Sequence, residues 1–136
     1  MYEANVTMLL HGIKNKIQGP QSIIKNVEGF AKIYSYGTQD TFNFMTMELM
    51  GPSLSDMLQF CADKFSLKTT LMIADQLLRR FEYMHEMCFV HRDVKPDNFL
   101  MGLMEKTSIL HVVDMGLAKR FYDSSIGEHI PYRDDK

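Results

Sequence analysis

The sequence predicts an α+β fold, with a short helix and a strand hairpin first, a helical portion after them and a second pair of short strands beyond. Three observations predict it. Residues 42–49, FNFMTMEL, alternate large apolar and small polar side chains at period two, the pattern of a strand. Leu67, Leu71, Ala74, Leu78 and Phe81 step by 4, 3, 4 and 3 residues, which lines them up on one side of a helix. Residues 108–114, SILHVVD, form a nearly continuous apolar run of the kind carried by a fully buried strand.

The elements follow in order. A short helix opens the chain, with Ala4, Met8 and His11 at near-helical spacing and Gly12 able to close it. KNKIQGPQS reads as an exposed connection. Strands at 30–36 and 42–49 are joined by GTQDT, a hairpin with a four- to five-residue turn. After Gly51-Pro52 the period changes. Ser53 is a candidate N-cap for a helix through about Phe60, with Leu54, Met57 and Leu58 as its apolar face. Ser66 can cap the longer helix, which runs to about His85 and buries the 67–81 stripe against a core. Asp75 and Arg79 face each other on its outside. FLMG and SILHVVD are two short strands split by a polar turn at 105–108.

The composition limits the function classes. The chain has 136 residues, 46% hydrophobic and 24% charged, enough for one globular domain with a core. Its formal net charge of -2 gives no basic footprint for nucleic acid, so any phosphate recognition is local. Cys61 and Cys88 form neither a metal-binding pair nor a disulfide scaffold, which predicts a reducing setting, cytoplasmic or nuclear. No signal pattern and no run of 18 apolar residues is present, so no membrane partner is expected. The twelve methionines are scattered and read as flexible core filling.

The chemistry is concentrated in residues 89–102, FVHRDVKPDNFLMG. Pro96 has no N–H to donate and pushes Lys95 out of the helical region, so this segment is a bent loop at a helix end. Asp93 is a carboxylate able to accept a hydroxyl proton. Asn98, with Asp114 at the exit of the buried strand, supplies hard oxygen donors suited to Mg²⁺. Lys95 is a point charge suited to a phosphoryl group. A base, a cation and two magnesium ligands are the inventory of phosphoryl transfer to an alcohol, where catalysis is mostly positioning and charge neutralisation.

His91-Arg92-Asp93-Val94 with Asn98 resembles the catalytic loop of protein kinases, and Asp114-Met115-Gly116 resembles their magnesium-binding tripeptide with methionine in place of phenylalanine. Lys95-Pro96 is similar to the serine/threonine branch. LMGPSLSDML, FSLKTTLMIADQ, HRDVKPDNFLMG and HIPYRDDK together resemble the casein kinase I family over essentially the whole chain.

That resemblance implies a kinase-like α+β fold, truncated: 1–47 as the end of a small lobe, 48–52 as a hinge and 53–136 as the first half of a mainly helical large lobe, ending in the activation segment. It implies ATP and Mg²⁺ as cofactors and acidic or phosphorylated proteins as substrates. Asp93 takes the place of the catalytic base, Lys95 that of the residue steadying the phosphoryl group, and Asn98 and Asp114 those of the metal ligands. Met47 falls at the gatekeeper position, Glu48, Leu49 and Met50 at the adenine-pairing hinge, Asp56 near the ribose and Leu100 beneath the ring. Glu3 falls at the helix C glutamate and Arg133 in a basic site for substrate anions.

The sequence also departs from the pattern. Its glycines, at 12, 19, 29, 37, 51, 102, 116 and 127, form no G-x-G-x-x-G, and only Met1 and Tyr2 precede Glu3, so it has no paired lysine. Weak or absent activity of the isolated chain is therefore expected, together with an exposed apolar face on the 66–85 helix that a partner would cover. A catalytically dead, kinase-derived binding module is the alternative, and a convergent Mg²⁺-dependent phosphohydrolase the third reading.

Overall fold

The structure, a computed structural model, describes residues 2–10 and 28–131. Helix α1 spans Tyr2–Leu10 and buries Ala4, Val6, Thr7 and Leu10, so its inward face is broader than the expected Ala4–Met8 line. The proposed closure at His11 and Gly12 lies outside the described residues.

Strands β1 (Ile33–Gln39) and β2 (Phe42–Met47) form the expected hairpin, but its turn is only Asp40-Thr41, with Gln39 opposite Phe42. Asp40 makes the tight turn possible by taking a left-handed conformation, φ 53°, which its short polar side chain tolerates. Phe30 is not in β1; it makes a separate parallel bridge to Val112. The second strand stops at Met47, and residues 48–50 belong to no strand. Alternation does not produce a buried face here, since Tyr34, Phe42 and Phe44 are all exposed.

Helix α2 (Leu54–Phe60) starts where Ser53 predicts it should. The Ser53 hydroxyl accepts from the Asp56 N–H at 3.1 Å, and the Asp56 carboxylate accepts from the Ser53 N–H at 2.9 Å, a reciprocal capping box. Ser66 caps α3 (Leu67–Glu86) by accepting from the Thr69 N–H at 3.1 Å.

The face of α3 that meets the core keeps Phe81 from the predicted stripe but not its leucines. Leu67, Leu71 and Leu78 are 75%, 59% and 68% exposed, whereas Ile73, Leu77, Phe81 and Met84 pack inward. Apolar residues lie on two sides of this helix, and polar anchoring selects between them. Gln76 accepts the Leu110 N–H at 2.9 Å and donates to the Ser108 carbonyl at 3.0 Å; Arg80, 8% exposed, donates to the Leu110 carbonyl at 3.2 Å. Those bonds turn the 73–77–80–84 side towards the strands. Gly29 fits because any Cβ there would collide with Arg80 Nε, and its φ of 97° suits glycine.

Beyond α3 run β3 (Phe89–Val90), β4 (Phe99–Met101), β5 (Leu110–Val112), β6 (Lys119–Arg120), β7 (Tyr122–Asp123) and β8 (Glu128–His129). They pair antiparallel as β3 with β6, β4 with β5 and β7 with β8. All three residues of β5 are buried, as the apolar run predicts. The core joins Val6, Leu10, Phe30, Leu54, Met84, Phe89, Phe99, Leu110, Val112, Met115 and Ala118, so α1, both central strands and the turn after β5 share one interior.

Candidate active site

The site is assembled at one end of the β4–β5 ladder, from the loop leading into β4 and the turn leaving β5. Lys95 is extended, φ -154° and ψ 157°, as a residue before proline must be, and Pro96–Asn98 form a single 3₁₀ turn with Pro96 at its start. That turn buries Asn98 beside the strand and leaves Asp93 half-buried.

Asn98 organises the loop. Its Nδ2 donates to the Asp93 carbonyl at 2.9 Å and to the Asp93 carboxylate Oδ2 at 3.0 Å. Its backbone carbonyl accepts the Val113 N–H at 3.0 Å, one residue before Asp114. The amide nitrogen is thus committed to Asp93, and the amide oxygen accepts nothing from the described residues. It is a free hard oxygen donor.

His91 makes a second tie. Buried at 3% exposure, it accepts the Asp93 N–H on Nδ1 at 3.2 Å, which leaves Nε2 to donate to the Val113 carbonyl at 3.0 Å. Arg92 makes a third, donating from Nε to the Leu117 carbonyl at 2.6 Å. In the sequence His91 and Arg92 stand out only as part of a pattern. In the fold they are struts that hold the loop against the turn after β5.

Two of the residues at this junction carry unfavourable backbone conformations. Arg92 and Asp114 both have positive φ, 68° and 61°. For non-glycine residues each such conformation costs roughly 1–2 kcal/mol, and the surrounding bonds hold it. Asp114 accepts the Gly116 N–H on Oδ1 at 3.2 Å, while Met115 is fully buried in the core. The methionine therefore anchors the turn from below, as its apolar character implies, and the Asp114 carboxylate stays exposed.

Charges gather here. Lys95 Nζ contacts Asp93 Oδ2 at 2.7 Å. That ammonium, then the Asn98 amide, holds the Asp93 carboxyl below its ordinary range. Asp93, then Asp114 and Asp97, holds Lys95 above its own. Lys95 thus feels both acidic groups, Asp93 by direct contact and Asp114 through space. Glu3 also arrives there: its Oε2 lies 4.0 Å from where a Gly116 Cβ would stand, and α1 is tied down by Tyr2, whose hydroxyl donates to the Ala118 carbonyl at 2.7 Å.

Above the site, Met47 ends β2 half-buried. The Glu48 N–H donates to the Lys32 carbonyl at 2.8 Å, and the Gly51 N–H to the Met101 carbonyl at 2.8 Å. Leu49 is exposed, and Met50 is half-buried. Leu100 is half-buried in β4 and bridges Ser53, so residues 51–53 run alongside β4. Asp56, at the start of α2, has both roles of its carboxylate defined by Ser53, whose hydroxyl and N–H hold it below its ordinary range. Arg133 lies outside the described residues.

No group of three or more His, Cys, Asp or Glu side chains is placed to cage a metal among the described residues. The Asn98 amide oxygen, on the turn before β4, and the exposed Asp114 carboxylate, on the turn after β5, are instead two hard oxygen donors. Such a pair fits Mg²⁺, which keeps waters and takes its remaining ligands from substrate phosphates. A shallow apolar groove lined by Leu67, Lys68, Leu71, Met72, Asp75 and Gln76 lies on the outer side of α3 and shares no residue with this site.

No described helix is long and apolar enough to cross a membrane. Compared with known families, residues 13–130 match the protein kinase domain model.

Proposed function

The chain belongs to the protein kinase domain family, and from that premise we propose that it is a serine/threonine kinase of the casein kinase I type, transferring the γ-phosphate of ATP to acidic or already phosphorylated proteins. Kinase chemistry follows from the family. The finer assignment is supported by Lys95-Pro96 in the loop and by LMGPSLSDML and FSLKTTLMIADQ around the two capped helices.

One observation carries the reading: Asn98 bonds Asp93 through its side chain and the residue before Asp114 through its backbone. Those bonds support reading Asp93, Asn98 and Asp114 as one unit, a base with two metal-binding oxygens. Bound Mg²⁺ would neutralise charge on the nucleotide's phosphates. Asp93 receives the proton of the acceptor hydroxyl, with Asn98 and His91 fixing its orientation. Lys95 is placed to follow the phosphoryl group, since its flexible stem can leave Asp93 for a more negative partner. Residues 47–50 hold the adenine, with Leu100 on the strand beneath, Asp56 at the ribose side and Glu3 beside the metal-binding turn.

The test is transfer of labelled γ-phosphate from Mg-ATP to an acidic protein acceptor, followed by phosphoamino-acid separation. Label on serine or threonine, lost in Asp93→Asn, supports the reading; label on tyrosine, or phosphate release without a protein acceptor, contradicts it.

The exposed Leu67–Leu71–Leu78 face favours a second reading, a kinase-derived binding module that engages a partner through α3. A melting temperature that rises with Mg-ATP concentration argues against a module blind to nucleotide.

A further inference from the structure

Residues 48–52 touch the end of β4 and the turn that follows it at two points. At the first, the Gly51 N–H donates to the Met101 carbonyl at 2.8 Å and the Met101 N–H to the Pro52 carbonyl at 2.9 Å. At the second, Lys106 Nζ closes on Glu48 Oε1, an ion pair between residues 58 positions apart. The other oxygen, Glu48 Oε2, accepts the Lys32 N–H at 3.3 Å. The Glu48 side chain therefore links the entry to β1 with the far turn of the β4–β5 pair.

The turn is shaped to deliver Lys106. Its N–H donates to the Leu103 carbonyl at 3.0 Å, its carbonyl accepts the Ile109 N–H at 2.8 Å, and the Gly102 N–H closes the loop on the Ile109 carbonyl at 2.9 Å. A Cβ at Gly102 would collide with the Lys106 backbone, so only glycine lets the lysine sit there. Burial alone would push the Glu48 carboxyl up, but the Lys106 ammonium and the Lys32 N–H outweigh it and hold the group below its ordinary value. The ion pair is half-sheltered, with Glu48 only 20% exposed, so it is screened less than a fully solvated pair.

We infer that Lys106 is a positioning residue for nucleotide binding: through Glu48 it clasps the 48–51 segment to the β4–β5 turn and so fixes the backbone groups that pair with the base. This rests on the assignment of 47–50 as the adenine-binding segment. Lys106 itself touches no nucleotide; it acts through Glu48.

The experiment compares wild type with Lys106→Met, Glu48→Gln and the charge exchange Glu48→Lys with Lys106→Glu. Amide hydrogen exchange without nucleotide reads the clasp alone. In Lys106→Met the Glu48 and Gly51 amides exchange about three- to fivefold faster while those of α3 keep their rates, the size expected for one partly sheltered ion pair. Salt near 0.5 M accelerates these amides in wild type and not in the variant. The Kd for Mg-ATP rises by a similar factor, and the charge exchange brings both readouts back towards wild type. Unchanged exchange at 48–51 in a folded Lys106→Met protein overturns the clasp, whether or not nucleotide binds. Failure of wild type to bind Mg-ATP overturns the adenine-site reading beneath it, while the exchange data still decide the clasp.

Discussion

The Asn98 side chain donates to the backbone carbonyl and to the carboxylate of Asp93, at 2.9 and 3.0 Å, with a single nitrogen. The same residue receives the Val113 N–H on its own carbonyl. One asparagine thus ties the loop carboxylate to the segment that leaves β5 towards Asp114.

Asn98→Ala removes both bonds from a buried position. Leaving the Asp93 carbonyl without its donor is expected to lower stability by about 1–3 kcal/mol. Phosphoryl transfer should fall by roughly 100-fold or more, the scale for losing a preorganised electrostatic group. Urea unfolding and a transfer assay on the same protein check this. Loss of stability with intact transfer would separate Asn98 from the chemistry.

His111 is 2% exposed, and burial lowers its pKa, with the hydrogen bond to the Ile109 carbonyl working the other way. Glu48 also favours its charged form, while Lys106 and Arg80 oppose it. The unfolded chain binds this proton more readily than the native one, so the contribution is complete above the unfolded pKa of ~6.5 and is lost as pH falls below it. Melting temperature between pH 8 and 5 should therefore decline more steeply in wild type than in His111→Gln. Parallel curves would exclude His111 as the cause.

Asp93, Asp56 and Asp123 are all held below their ordinary values, Asp93 first by Lys95, and Asp56 and Asp123 by neighbouring serines. Depressed carboxyls stabilise fully above their unfolded pKa of ~3.9 and cease to do so as pH drops through the lowered native value. Acid unfolding should accordingly set in below about pH 4. Ser53→Ala should move that onset upward, read by circular dichroism.

The two sides of α3 should respond differently to charge. Leu71→Lys and Leu78→Lys alter exposed positions and are expected to change stability by less than about 0.5 kcal/mol while improving solubility. Met84→Ala opens the fully buried side and should cost about 2–5 kcal/mol. Equal effects on both sides would contradict the observed orientation of the helix.

Much of this fold is legible locally. Ser53 and Ser66 start their helices as capping chemistry requires, Pro96 bends the loop where a missing N–H and fixed φ dictate, and the apolar run at 110–112 is buried throughout. The inward side of α3 is not legible from periodicity. Leu67, Leu71 and Leu78 compete with Ile73, Leu77 and Met84, and the choice falls to Gln76 and Arg80 bonding residues thirty or more positions away. The hairpin turn shrinks to two residues because Asp40 tolerates a left-handed backbone, which sequence permits without requiring. Strands of two residues, such as β3 and β6, are too short to show a period at all.

The site shows the same division. Asp93, Lys95 and Asn98 are readable as a group because they are neighbours in sequence, and the structure joins them by direct bonds. The bonds from His91 to Val113 and from Arg92 to Leu117, and the left-handed Arg92 and Asp114, arise only when the loop meets the turn after β5.

The central claim is that Asn98 and Asp114 share one divalent ion brought with a nucleotide. Titrating Mn-ATP into isotope-labelled protein, where the paramagnetic ion broadens nearby amide signals, tests it most directly. The account predicts that the amides of Asn98 and of Asp114 to Gly116 broaden together at the lowest additions, and that Asp114→Asn weakens the effect at both places. Broadening confined to one of the two segments, or centred elsewhere on the molecule, would contradict it.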